Sequence, residues 1–405
     1  MNMTRHILGC MALALLAACS NGKTDKVETK SAPKETRTQL AMPVLDLEKE
    51  YPKKTIALQD IADVEYIVLE THDDGLVGSH YTTVTDSFII TSDGYSNVVF
   101  FHRDGRYSHS FNRKGGSGEE YISFGHNLCV NAHSREVYIY DFERSRIQVY
   151  SYEGVWRRTL KVESDGFVWG TLYPFDANHL LLEDKNNVGN RYGKPTNPRP
   201  YYKVAVSDGE TTRLPLTAAN RIGNTVNWYD EDTGQSISIS RSIAPISTIN
   251  GEPVIAPFVL DTLYACRDGN LVPIAKKQNW MKEDGTPWLV TLDGISDKYY
   301  LWYAIEKKAD VVAWRERTFL QDRHTGACAQ IRLVDRNITD EGWRFRHRAS
   351  ASEFCVPPNS LMQCYPAWNL ADLHERGKLQ GELRDIASRL NAEDNPVIML
   401  AKFKE

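Results

Sequence analysis

The run Arg113-Lys114-Gly115-Gly116-Ser117-Gly118-Glu119-Glu120-Tyr121, with His126 shortly after it, places cations, carboxylates, a hydroxyl, a phenol and an imidazole within one short stretch. Glycines beside a lysine suggest a phosphate cradle, but that chemistry needs the Walker spacing and a Gly-Lys-Ser/Thr ending, and neither is present. A nucleophile elbow fails as well, because Ser117-Gly118 runs into Glu119 rather than closing Gly-x-Ser-x-Gly. The paired acids Asp73-Asp74 and Glu119-Glu120 are sequence neighbours, and neighbours in extended chain point to opposite sides. Neither pair is a ready acid–base couple, although residues from different loops could meet. His126 follows Phe124-Gly125 at an expected strand start, and His179, His324, His347 and His374 share no register with it. We therefore expect no catalytic residue, no cofactor site and no metal site. Arg113, Lys114, Glu119, Glu120, Tyr121 and His126 remain as a candidate ligand or partner face.

One thiol has a clearer chemistry. Arg5 precedes an apolar run from Ile7 to Ala18 that is shorter than the ~20 residues a helical span needs. It ends in Leu16-Ala17-Ala18-Cys19, which resembles the bacterial lipobox: small residues fit the signal peptidase, and a free thiol accepts the diacylglyceryl group. The resemblance implies cleavage before Cys19, lipidation there with acyl chains such as palmitate, and a membrane partner through that lipid. Ser20 in place of an aspartate implies sorting to the outer membrane, with the leaflet open. Residues 19–41, rich in Lys, Thr, Glu, Ser and Pro, cannot bury enough apolar surface to order themselves and read as a flexible tether. The expected organisation is signal peptide 1–18, tether 19–41 and folded body 42–405.

The net charge of −5 argues against a nucleic-acid partner, which needs a basic face to displace counterions. Of the seven cysteines, five fall in the body: Cys129, Cys266, Cys328, Cys355 and Cys364. Their spacing offers no CxxC, so buried free thiols are the preferred reading. A Cys355–Cys364 bridge stands as the alternative.

The elements that must position these groups appear once repeats are sought. Asn97 to Phe101 runs into Asp104-Gly105, and Arg146 to Tyr150 into Glu153-Gly154. The pattern returns before Asp208-Gly209, Asp268-Gly269 and Thr325-Gly326. A strand followed by a turn glycine, repeated about every 50 to 60 residues, suits one four-stranded propeller blade per period. Glu136 to Asp141 and Arg146 to Tyr150 read as a hairpin pinned by Asp141 and Arg146, with Val137 and Ile139 on one face and Tyr138 and Tyr140 on the other. Near the C-terminus, Leu383, Ile386, Ala387 and Leu390 have helical spacing, and Val397 to Ala401 reads as a strand. That strand is expected to share a blade with the segment near Thr55 to Leu69 and so close the ring.

Tyr138 to Asp141 with Ser145 to Tyr150 resembles the blade of NHL-type propellers. Phe100 to Gly105, Arg113-Lys114-Gly115 to Glu120-Tyr121, Glu65 to Glu70, Asp261 to Tyr264 and Asp394 to Val397 are similar to the six-bladed β-propeller lipoproteins of Bacteroidota. The likeness covers nearly the whole body and departs from the family at three positions of the Gly115 to Glu119 segment. It implies an all-β fold: a six-bladed β-propeller with a short C-terminal helix and closing strand. Through that family's association with glycan acquisition, it also implies a non-catalytic outer-membrane binding or protein-interaction module beside a transporter or glycan-binding lipoprotein. A channel-site hydrolase or lyase of the lactonase type and a structural envelope component are the alternatives, and the number of subunits is open. Trp228, Trp280, Trp288, Trp302, Trp314, Trp343 and Trp368 are expected mostly to fill space between blades, though indoles also stack on sugar rings. The glycines of the Arg113 to Tyr121 loop are expected to adopt positive φ, and the polar insert Lys185 to Pro200 is the expected long loop.

Overall fold

The computed structural model describes residues 42–404 apart from 79–81, 95, 123–127, 163–169, 187–196, 242, 309–314, 344 and 346–353. Six β-sheets form a six-bladed propeller. Blade 1 is Thr82–Val84, Phe88–Ser92, Asn97–His102 and Tyr107–Asn112; blade 2 is Leu128–Asn131, Glu136–Asp141, Arg146–Ser151 and Trp156–Lys161. Blade 3 is Gly170–Pro174, His179–Asp184, Tyr201–Ala205 and Thr211–Arg213; blade 4 is Ile246–Ile249, Glu252–Ile255, Thr262–Arg267 and Asn270–Gln278. Blade 5 is Trp288–Ile295, Tyr299–Glu306, Glu316–Asp322 and Cys328–Val334. First strands of neighbouring blades touch one another, so they are innermost. An additional hairpin, Thr225–Asp230 with Gln235–Ser240, lies between blades 3 and 4 in the chain, where the sequence pattern is irregular.

Each blade buries both faces, and the apolar clusters lie between blades. Phe100 and Phe111 of blade 1 meet Val137, Ile139 and Tyr150 of blade 2. On the other face of blade 2, Tyr138, Tyr140 and Val149 meet Leu172 and Leu182 of blade 3. The strand Glu136–Asp141 therefore divides its side chains as expected, Val137 and Ile139 one way and Tyr138 and Tyr140 the other. Comparable clusters join blades 4 and 5 around Leu263 and Trp302, and blades 6 and 1 around Ile398 and Phe101. Truncating a fully buried leucine of such a cluster to alanine costs about 2–5 kcal/mol.

All five repeating glycines occupy the turn between the third and fourth strands of blades 1 to 5, each at positive φ. At Gly105 (φ 87°) the turn also docks on the preceding blade: a Cβ there would sit 2.0 Å from the Val68 carbonyl oxygen. The periodicity thus marks a left-handed turn in each of these five blades, and at Gly105 a blade-to-blade contact as well.

Blade 6 takes strands from both ends of the chain. Val397–Phe403 lies between Ser360–Tyr365 and Ala62–Val68, antiparallel to both, with Ile398 opposite Ile67. The expected closure is present, with one refinement: Lys53–Ala57 does not enter blade 6 but pairs in parallel with Gln330–Val334 at the outer edge of blade 5. Val44–Asp46 does the same at Lys276–Gln278 of blade 4. The N-terminal arm therefore covers the outer edges of two blades before becoming the outer strand of a third, which removes edges that would template pairing with other chains. There are three α-helices among the described residues: α1 (Leu58–Ile61), α2 (Ala367–Glu375) and α3 (Gly381–Ala387). The expected C-terminal helix is α3. Unexpected α2 buries Ala367, Leu370 and Leu373, leaving Trp368 off that stripe.

Candidate functional site

The Arg113 to Tyr121 loop crosses from blade 1 to blade 2, and its backbone is held by blade 2 side chains. Arg146 donates to the carbonyls of Gly118 (3.0 Å) and Glu120 (2.6 Å), Gln148 to Gly118 (2.7 Å), and Tyr150 to Glu119 (2.6 Å). Tyr121 is fully buried, donates to the Ser96 carbonyl at 2.6 Å and accepts from the Arg113 amide at 3.0 Å. Burial raises its phenol well above the ordinary range. Arg113 donates through Nε to the Gly154 carbonyl at 2.9 Å, so it ties the loop to a repeating turn. Glu120 accepts from the Ser117 amide at 2.8 Å, and the Ser117 hydrogen bonds, with Arg113 and Arg144 nearby, lower its pKa. Arg146 also meets buried Asp141 at 3.2 Å, the expected structural pin.

This arrangement is a latch between blades. Arg113, Glu120 and Tyr121 are occupied in it, whereas Lys114 and Glu119 keep exposed side chains with no hydrogen bond or ion pair among the described residues. The expectation of positive φ in the loop is corrected: Gly115, Gly116 and Gly118 are outside the left-handed region. At Gly115 a Cβ would lie 2.1 Å from the Glu120 carboxylate, which would have to swing aside. His126 lies outside the described residues, as does most of the Lys185 to Pro200 insert.

A cleft missed by the sequence reading lies beside blade 6. It has a volume of about 380 Å³, near the small end of the ~300–1,000 Å³ usual for small-molecule sites. Its walls are Tyr365 at the end of the first strand of blade 6, Trp368 and Asn369 on α2, and Trp343 with Asp340 on the connection from blade 5. Trp368 is 56% exposed, while Tyr365 is buried. Asp340 accepts from the Gly342 amide at 2.7 Å and pairs with Arg376 at 2.7 Å, and Arg376 reaches Asp372 at 2.9 Å. These contacts, the Gly342 amide foremost, lower the pKa of Asp340. An exposed tryptophan off the apolar stripe of α2 is the signal that could have found this site.

Buried Asp335 fixes the floor of the cleft. Its carboxylate accepts from the phenols of Tyr66 (2.6 Å) and Tyr365 (3.3 Å), from Gln59 Nε2 (2.7 Å) and from the Asn337 amide (2.9 Å). One side chain thus joins the N-terminal arm, the exit of blade 5 and the first strand of blade 6. Burial, with Asp335 next in weight, raises Tyr66 and Tyr365 far above the ordinary phenol range.

Trp288 and Trp302 are packing residues and Trp280 is half-buried against the same core, while the Trp228 side chain and Trp314 lie outside the description. Cys129, Cys266, Cys328 and Cys364 are free thiols, with burial raising Cys328 and Cys364 to about 12; the Cys355 side chain is outside the description. Among the described residues no group of three or more His, Cys, Asp or Glu side chains is arranged to hold a metal, and no helix is long and apolar enough to cross a membrane.

A six-bladed propeller with an aromatic-lined cleft beside blade 6 is the class that fold and site define. The chain belongs to the family of the domain of unknown function DUF4934, whose model matches residues 42–402. Among solved structures it is similar to a Bacteroides fragilis protein described as exported, at 10% identity and TM-score 0.60, covering 89% of this chain and 100% of that one. A member of the DUF4221 family from Bacteroides vulgatus aligns at 10% identity and TM-score 0.48, over 85% of this chain and 99% of that one. A search of curated proteins returns no match.

Proposed function

We propose that this chain is a lipid-anchored outer-membrane protein whose propeller is a binding module, accessory to glycan uptake, working beside a transporter or glycan-binding lipoprotein. The observation that carries the reading is the cleft beside blade 6. It combines exposed and half-buried indoles with polar groups on rigid elements, and such mixed linings suit recognition. Leu16-Ala17-Ala18-Cys19 supports the anchor, and the Bacteroides fragilis protein of similar fold, described as exported, supports an envelope address. The charge-compensated rim and the latch made from the glycine-rich loop favour binding over catalysis, since neither leaves a paired acid and base poised for proton transfer.

The test is a mild-detergent pull-down of the tagged, lipidated protein from its own outer membranes, with Cys19→Ala as control and mass spectrometry of what is retained. Retention of a transporter or glycan-binding lipoprotein by the wild type alone supports the reading. Recovery of the protein alone, or its absence from the outer-membrane fraction, overturns it.

A further inference from the structure

We infer that the cleft beside blade 6 takes an uncharged saccharide, about one or two rings long, stacked on Trp368. The inference rests on the binding-module reading and names the ligand class of its site. Trp368 is 56% exposed although it stands on a helix whose other large apolar residues, Leu370 and Leu373, are buried. Its indole carries no hydrogen bond or ring contact among the described residues. Trp343, held edge-on to Tyr365 with centroids 6.4 Å apart, supplies a second indole in the same cleft. A sugar ring offers C–H groups on its face and hydroxyls on its rim, and an indole bordered by amides matches both.

Arg376 is the cation of the lining, and it is engaged by two carboxylates, Asp340 at 2.7 Å and Asp372 at 2.9 Å. An anionic ligand would have to displace one of those pairs. A cationic ligand would meet Asp340 already bound to Arg376 and to the Gly342 amide. The half-buried Asn369 side-chain amide, by contrast, has no hydrogen bond among the described residues and offers both donors and an acceptor. Neutral hydroxyls are what such a group reads.

The Tyr365 hydroxyl is committed to Asp335, so its ring is a fixed floor rather than a mobile arm. Pre-organised walls lower the entropy lost on binding, which small polar ligands need if they are to bind at all.

The test uses the full mature protein in a detergent without a sugar headgroup. Saturation-transfer NMR is recorded with neutral disaccharides of glucose, mannose, galactose, xylose and N-acetylglucosamine, and with digalacturonate as the acidic comparison. The expected result is transfer to at least one neutral disaccharide and none to digalacturonate. Trp368→Ala should weaken that binding about tenfold or more with the melting temperature unchanged, and Trp368→Phe should weaken it less. Absence of transfer to every neutral disaccharide, preference for digalacturonate, or binding indifferent to Trp368→Ala overturns the inference. Repeating the outer-membrane pull-down with Trp368→Ala separates the two readings. A retained partner with no saccharide bound leaves the binding module standing and the saccharide refuted.

Discussion

At the scale of single residues, buried charge decides more than exposed charge. Lys277 has no solvent exposure; its ammonium donates to the carbonyls of Pro257 (3.3 Å) and Phe258 (3.2 Å) and faces the Trp280 ring at 4.9 Å. Burial lowers its pKa to about 7, with Asp261 opposing, whereas an unfolded lysine titrates at 10.5. Between those values the unfolded chain binds the extra proton, so this residue makes stability rise with pH from about 7 to about 10.5, by a few kcal/mol in all. Lys277→Met should therefore be most favourable, relative to wild type, at pH 6 and should lose that advantage by pH 10. Urea titrations at both pH values check this, and parallel curves would refute it. Asp335 is the opposite case, a buried acceptor for four donors. Asp335→Ala strands the Tyr66 hydroxyl and Gln59 amide and should lower stability by about 2–4 kcal/mol, read as a fall in melting temperature.

At the scale of elements, the turns and the arm determine how blades fit. Gly105 and Gly326 have the same place in their blades and similar positive φ, yet a Cβ at Gly105 would strike the Val68 carbonyl while one at Gly326 meets open space. Gly326→Ala should show only the ~1–2 kcal/mol of left-handed strain. Gly105→Ala must also move blade 6 away from blade 1, so its loss of stability should be clearly larger. Equal losses would mean that the contact is unimportant and conformation is all. The closing strand is equally specific. Ending the chain before Val397 leaves Ala62–Val68 and Ser360–Tyr365 without the strand that joins them, and the product should aggregate rather than give a sharp melting transition.

For the whole molecule, the anchor and the propeller should be separable. Cys19→Ala should move the protein from the membrane fraction to the soluble envelope fraction. The melting temperature of the 42–404 body should stay within a degree or two of wild type, because the stabilising contacts described here lie inside that body. A large fall in melting temperature would show that the N-terminal segment contributes to the stability of the propeller.

The repeat was legible in sequence for a physical reason. A left-handed turn admits glycine and little else, so Gly105, Gly154, Gly209, Gly269 and Gly326 advertise the third turn of blades 1 to 5. Strand faces were legible at Glu136–Asp141 for a similar reason, since neighbouring blades demand apolar side chains both ways. The proposed lipid site, Leu16-Ala17-Ala18-Cys19, is likewise a local pattern and depends on no fold. The cleft was not legible, because Trp343, Tyr365, Trp368 and Arg376 come from a connection, a strand and a helix whose approach is set by packing on Asp335 and blade 6. The latch made by the glycine-rich loop was not legible either, because whether its carbonyls face solvent or Arg146, Gln148 and Tyr150 depends on where blade 2 stands. Backbone conformation and alternation are written residue by residue, whereas which side chains remain free for a ligand is decided only when distant segments have taken their partners.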